Sequence, residues 1–161
     1  MREMRRKNRQ VLEENRIDEI IRACDCCRIG LADEDEVYIV PLNFGYVNEN
    51  GSRIFYFHSA KEGRKLDLIR KTGRGGFELD TNHQIKSGEN ACDYAFRYQS
   101  VIGKGKIEVL ENPEEREKGL RAIMEHYTGK SNWTFGEKSL SATAVIKLMV
   151  EEICCKEQPA E

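Results

Sequence analysis

The 161-residue chain has no apolar run approaching the roughly 20 residues that cross a bilayer. Its basic opening, MREMRRKNRQ, lacks the apolar stretch of a secretory signal, so a cytoplasmic protein is expected. The common enzyme signatures are missing as well: there is no G-x-S-x-G elbow, no H-E-x-x-H pair and no P-loop. Gly73-Arg74-Gly75 and Gly103-Lys104-Gly105 are lone G-x-G triplets outside any strand–helix–strand unit, so a dinucleotide fingerprint is excluded. Nor is there an excess of charge. Lys plus Arg is 26 and Asp plus Glu is 28, a net of -2, which argues against a dedicated nucleic-acid binder.

What charge asymmetry exists is local. Arg2, Arg5, Arg6, Lys7 and Arg9 against Glu3 give the first ten residues +4, leaving -6 on the rest. That arm reads as a solvated terminus, or one that pairs with its own acidic body, before it reads as a reach for nucleic acid. Six cysteines make an even count, but a chain without a secretory signal keeps its thiols reduced. Cys24 and Cys27 have C-x-x-C spacing without a second pair at matching distance. Cys154 and Cys155 are neighbours that point to opposite faces of a strand. The cysteines therefore read as small buried hydrophobes, with no metal site.

Hydrophobic periodicity places a helix over 4–23, with Ile17, Ile20, Ile21 and Cys24 on one face. Strands follow over 26–32, 37–47 and 53–59, the last two joined as a hairpin through Asn48-Glu49-Asn50-Gly51. Pro41 interrupts the second of them and marks an edge or a bulge. A short helix carries Leu66, Leu68 and Ile69, and the glycines over 73–76 break it before a strand over 77–81. Residues 82–89 read as a polar loop. An extended stretch over 92–110 is bent at Gly103 and Gly105. The next helix has Asn112 as N-cap, Pro113 at N1 and Glu115 at N3, and ends at Gly129. A loop holds Trp133, and a last strand runs over 143–153. The expectation is a single domain over 1–161, with a basic arm over 1–10 and a tail over 156–161. Its class is mainly β with flanking helices, an antiparallel barrel of about six strands.

One constellation could hold a ligand. The third strand ends in Tyr56-Phe57-His58-Ser59-Ala60, and a helix starts around Gly63-Arg64-Lys65. Free N–H groups at a helix start beside Ser59, Arg64 and Lys65 could cradle a phosphate; solvated cations at a strand–turn–helix are the plainer reading. Pro41, Leu42, Asn43 and Phe44 on the neighbouring strand mix one amide with flat apolar surface, as a planar ring requires. His58 titrates near neutrality and could serve a reacting group or be satisfied by backbone. His83 and His126 read as structural.

In VYIVPLNFGY, IFYFHSAKEGRKLDLI, FELD, YQSVIGKGKIEVLEN and the helix running to HYTG, together with the opening MRRKNR, the sequence resembles the FMN-binding split-barrel proteins related to pyridoxamine 5'-phosphate oxidase. Its likeness is greatest to the Nim-type nitroimidazole-resistance proteins, in order and spacing over roughly 4–155. The resemblance implies a six-stranded antiparallel split barrel that forms a homodimer with FMN at the subunit interface. Carried over by motif, Pro41, Leu42, Asn43 and Phe44 line the flavin ring, His58, Ser59 and Ala60 follow along the cofactor, and Lys65 holds the phosphate. Ser100 and Val101 approach from the next strand, and His58 stands where those relatives place a histidine close to the flavin. The glycine-rich 73–76 segment and the Cys24–Cys27 cluster depart from the pattern.

The function expected is an FMN-dependent oxidoreductase, with His58 as its catalytic residue. It would pass electrons from NAD(P)H or a carrier to a small substrate such as a nitroimidazole. The alternative is a non-enzymatic flavin- or haem-binding, redox-sensing protein. Oxidation of pyridoxamine phosphate itself would call for a second basic cluster, which the sequence does not display.

Overall fold

The structure, a computed structural model, describes residues 6–158. Its elements run β1 (Gln10–Val11), α1 (Glu14–Ala23), β2 (Cys27–Asp33), β3 (Glu36–Leu42), β4 (Gly45–Glu49), β5 (Ser52–Ala60), α2 (Arg64–Thr72), β6 (Arg74–Lys86), β7 (Ala95–Val109), α3 (Pro113–Thr128), α4 (Glu137–Ala142) and β8 (Thr143–Glu157). All pairings are antiparallel, in one sheet of order β3-β2-β6-β7-β8-β5-β4, with β1 added to the far end of β8. The class is as expected, but the sheet has eight strands, not six. The added strands come from the two-residue β1 and from division of the 37–47 segment into β3 and β4 at Asn43 and Phe44.

That division forces the barrel. β3 and β4 are the two ends of the seven-strand order, yet only two residues separate them. A flat sheet would put them about 29 Å apart at roughly 4.8 Å per strand. Three Cα steps from Leu42 to Gly45 reach at most about 11 Å. The sheet must therefore curl until its ends meet. β3 pairs only with β2, and β4 only with β5, among the described residues. The chain closes the barrel where hydrogen bonds do not.

Period-2 alternation fills the interior. Cys27, Ile29 and Leu31 on β2, Phe55 and Phe57 on β5, Phe77 and Leu79 on β6, Val101 and Ile107 on β7, and Ile146 and Leu148 on β8 form one core with α1 and α2. A second cluster lies outside β5 and β8 under α3, around Ile54, Tyr56, Leu120, Ile123 and Val145. β5 is thus apolar on both faces because a helix covers its outer one. The buried guanidinium of Arg53 is held by Asp18 and Glu14, and Asp18 also accepts from Tyr46 and Asn48, which fixes α1 to the β4–β5 hairpin. Burial alone would raise the Asp18 carboxyl; those donors and the Arg53 charge outweigh it and hold its pKa low.

Several boundaries differ from the sequence-based expectation. The first helix starts at Glu14, after a 3-10 turn over Lys7–Arg9, while residues 4 and 5 lie outside the described range. Only Gly73, at φ 62°, acts as a helix stop; Gly75 and Gly76 lie inside β6. The polar run from Asn82 to Lys86 is strand, because it pairs with β7 beyond a register shift at Thr81/Gln84. α4 was not foreseen. The predicted irregularity at Gly103 and Gly105 is a register shift between Lys104 and Gly105. The Asn112 cap is present, its Oδ1 accepting from the Glu115 N–H at 3.0 Å. Cys24, Cys27 and Cys155 are buried in the core as small hydrophobes, but Cys26 and Cys154 are only partly buried and Cys92, in the link before β7, is exposed, so the expectation holds for three of the six. Burial pushes the Cys24 and Cys155 thiols up to about 12.

Gly45, where the barrel reopens into β4, carries α3 directly: a Cβ there would stand 2.4 Å from the Ile123 nitrogen and 2.5 Å from the Ala122 carbonyl carbon. Gly45→Ala is expected to lower stability by about 2 kcal/mol, the usual cost of overpacking, read as a lower urea midpoint. An unchanged midpoint would mean that α3 does not rest on β4.

Candidate functional site

The split leaves two free strand edges that diverge from one point. β4 begins at Gly45 opposite Tyr56, so residues 57–60 of β5 run past it with no partner on that side among the described residues. β3 departs from the same join with its outer edge unpaired. Asn43 and Phe44 thus sit beside the start of the His58-Ser59-Ala60 segment. The join is pinned from behind by the last turns of α3. The Tyr127 hydroxyl accepts from the Phe44 N–H at 3.2 Å and donates to the Asp25 carbonyl at 2.7 Å. The His126 ring packs on Phe44 at 4.2 Å and bonds the Cys24 carbonyl at 2.7 Å. Tyr127 and His126 position the site. In the sequence Tyr127 carries no signal and His126 reads as structural, because nothing local shows what the end of α3 meets.

The predicted residues fall into two groups. Asn43, His58, Ser59, Ala60 and Lys65 gather at the split. Phe44 is 0% exposed and packed in the core, so only its backbone faces that region. His58 is exposed and has no hydrogen-bond partner among the described residues. Its pKa lies below the ordinary 6.5, first through partial desolvation and then through the Lys65 charge, both of which favour the neutral imidazole. Lys65 is half-buried, its own pKa depressed by burial, and it has no ion-pair partner among the described residues. The Ser59 hydroxyl donates to the Ala60 carbonyl at 2.7 Å.

Arg64 does not join them. It turns to the β2–β3 turn, pairing with Asp33 at 2.7 Å and Glu36 at 3.1 Å, with its guanidinium over the Tyr38 ring. Of the two adjacent cations, only Lys65 is left for a ligand.

Ser100 and Val101 form the second group. Ser100 pairs with Lys156 at one end of β8, whereas His58 pairs with Val145 near the other. Val101 is 0% exposed and faces the core, while Ser100 faces outward. One copy of the chain does not bring these two to His58. Pro41 lies between the groups: its outward row runs through Arg28 and Glu78 to Ile102 and Cys154. Around that row Val37 is 71%, Ile39 64% and Ile102 48% exposed.

The donor set fits a phosphorylated, planar cofactor. A half-buried ammonium without a counter-ion among the described residues lies in the first turn of α2, whose first N–H groups have no intrahelical acceptor. An unpaired strand edge adjoins it. Among the described residues no cluster of His, Cys, Asp and Glu could hold a metal ion.

Antiparallel split barrels of this form make up a class in which the chain has close company. The sequence pattern of the pyridoxamine 5'-phosphate oxidase family matches residues 13–157, and the chain belongs to that family. No curated protein matches the chain. Among solved structures it is similar to a candidate 5-nitroimidazole antibiotic resistance protein from Bacteroides thetaiotaomicron, with 29% identity, a TM-score of 0.78, and coverage of 91% of this chain and 85% of that one. The FAD and haem binding protein of Mycobacterium smegmatis shares the fold at 16% identity and a TM-score of 0.81, covering 94% and 74%. A flavocytochrome of Azotobacter vinelandii does so at 17% and 0.79, covering 98% and 73%.

The His58–Lys65 coupling has a definite sign. Removing the cation in Lys65→Met relieves repulsion of the imidazolium, so the His58 pKa should rise, followed through its ring C–H resonances. An unmoved titration would show that the two groups do not sense each other.

Proposed function

We propose that the chain is an FMN-binding oxidoreductase that reduces a small nitro-bearing acceptor with electrons from NAD(P)H or a reduced carrier. The observation that carries this reading is the unpaired, half-buried Lys65 beside the neutral, unbonded His58 at the mouth of the split. When bound, the flavin would supply the two-electron chemistry that no side chain offers. Lys65 and the α2 N–H groups hold the phosphate. Pro41, Leu42, Asn43 and the Phe44 backbone flank the ring, and Ser59 and Ala60 present strand edge along the cofactor. His58 donates a hydrogen bond from its neutral ring to an acceptor oxygen, and the proton that accompanies reduction comes from solvent water.

Ser100 belongs to the cofactor site through a second copy of the chain, while Val101, buried in the core, supports the strand behind it. The outward row of Pro41 and Ile102, with Val37 and Ile39 beside it and the Arg28–Glu78 ion pair across its middle, is a mixed apolar and charged face of the kind two copies bury against each other. In the homodimer it brings Ser100 of one subunit towards His58 of the other.

The first experiment is an absorption spectrum of the purified protein with and without added FMN. Flavin bands that travel with the protein are expected; a protein that binds no FMN sinks the proposal, and a haem Soret band would favour the redox-sensing alternative. Lys65→Ala should weaken FMN binding about tenfold or more, the loss of a charged hydrogen bond. His58→Ala should keep the flavin and lose turnover with a nitroimidazole; full turnover would remove His58 from the mechanism. Ile102→Glu should yield monomers that bind FMN poorly, checked by light scattering, and a dimer that persists would place the interface elsewhere.

A further inference from the structure

A second basic cluster, dispersed in the sequence, is assembled by the fold next to the candidate phosphate site. A cavity of about 160 Å³ is lined by Lys61, Arg70, Val109, Leu110, Glu111, Arg116, Thr143 and Ala144. It opens at the end of the β5–β8 ladder: Thr143 pairs with Ala60, and Lys61 is the next residue. Arg70 stands on α2, the helix that starts beside Lys65, and Arg116 on the first turns of α3. Three cations therefore meet one carboxylate, Glu111, over an apolar floor of Val109, Leu110 and Ala144.

The cations are not neutralised from within. Lys61 has no ion-pair partner among the described residues. Arg70 has only a loose contact with Asp67, at 4.0 Å between exposed side chains. Arg116 donates to the Leu140 and Thr143 carbonyls at 2.5 and 2.7 Å, which orients the guanidinium while leaving its charge uncompensated. The first turn of α3, capped at Asn112, carries Glu114 and Glu115, so the positive charge of the wall comes from the three cationic side chains and not from the helix end. An anion here would meet a net positive wall, partly desolvated by its floor.

We propose that this cavity is a second phosphate subsite, which takes the additional phosphate of a nucleotide whose other end lies at Lys65 or the flavin. Lys61 sits four residues before Lys65, so their Cα atoms lie no more than about 15 Å apart. The proposal rests on the flavin reading for its biological ligand, but the subsite is defined by its own cations. Two sources share the chemistry: a dinucleotide cofactor such as FAD, and the phosphates of a nicotinamide nucleotide donor.

The test uses the full chain with inorganic pyrophosphate as probe, titrated by calorimetry in a Lys65→Ala background. Saturable binding is expected, weakened about tenfold or more when Lys61→Gln and Arg70→Gln are added. No saturable binding, or binding that the double substitution leaves unchanged, overturns the subsite. The double substitution alone should leave FMN affinity as it was. Weaker FAD affinity in it identifies the cofactor as the source, and a raised KM for NADPH at constant kcat identifies the donor. If neither nucleotide responds, the nucleotide assignment is wrong. Failure of the flavin reading shows separately, as a protein that binds pyrophosphate at this cavity and no FMN.

Discussion

The two residues between β3 and β4 govern the rest of the molecule. They tie together the opposite ends of a seven-strand order, so the sheet has no flat solution. They also keep its closing edge free of hydrogen bonds, because Asn43 and Phe44 leave the ladder on both sides. Phe44 anchors the break by burying its ring against Phe55 and His126. Gly45 lets α3 lie directly on the next strand. An edge left open in this way is usually a liability; here it adjoins the residues best suited to hold a ligand.

Electrostatics sorts the side chains around that opening. Arg64 and Lys65 are consecutive on a helix and so point about 100° apart. One direction meets Asp33 and Glu36; the other leaves Lys65 close enough for its charge to lower the His58 pKa, with no ion pair among the described residues. Arg53 is compensated by Asp18 and Glu14, and the Glu157 carboxylate accepts from Arg16 at 2.5 Å and from Gln99 at 2.6 Å. Against that background a half-buried lysine without a partner stands out as a position kept for something else.

Local chemistry was legible where one turn decides the structure. Asn50 and Gly51 both adopt positive φ, at 53° and 89°, and close the β4–β5 hairpin, as an Asn-Gly pair predicts. The α3 cap and its Gly129 stop follow the same logic. Errors arose where a distant partner decides. Gly75 and Gly76 read as a break, yet a Cβ on Gly75 would find ordinary contact with Leu31 and Ile107 inside the sheet. Residues 82–86 read as loop because their polarity hides a pairing with Ala95, Phe96 and Arg97.

The sequence by itself determined the class of fold, the β5–α2 segment that carries His58 and Lys65, and the family, because each depends on residue types at short spacing. Tertiary structure alone decided which of two neighbouring cations is free, that Phe44 and Val101 face the core, and that Ser100 lies far along β8 from His58. It also brought Lys61, Arg70 and Arg116 to one cavity. Those outcomes depend on the shear and closure of the barrel, which set neighbours tens of residues apart and leave no mark in any local stretch of chain.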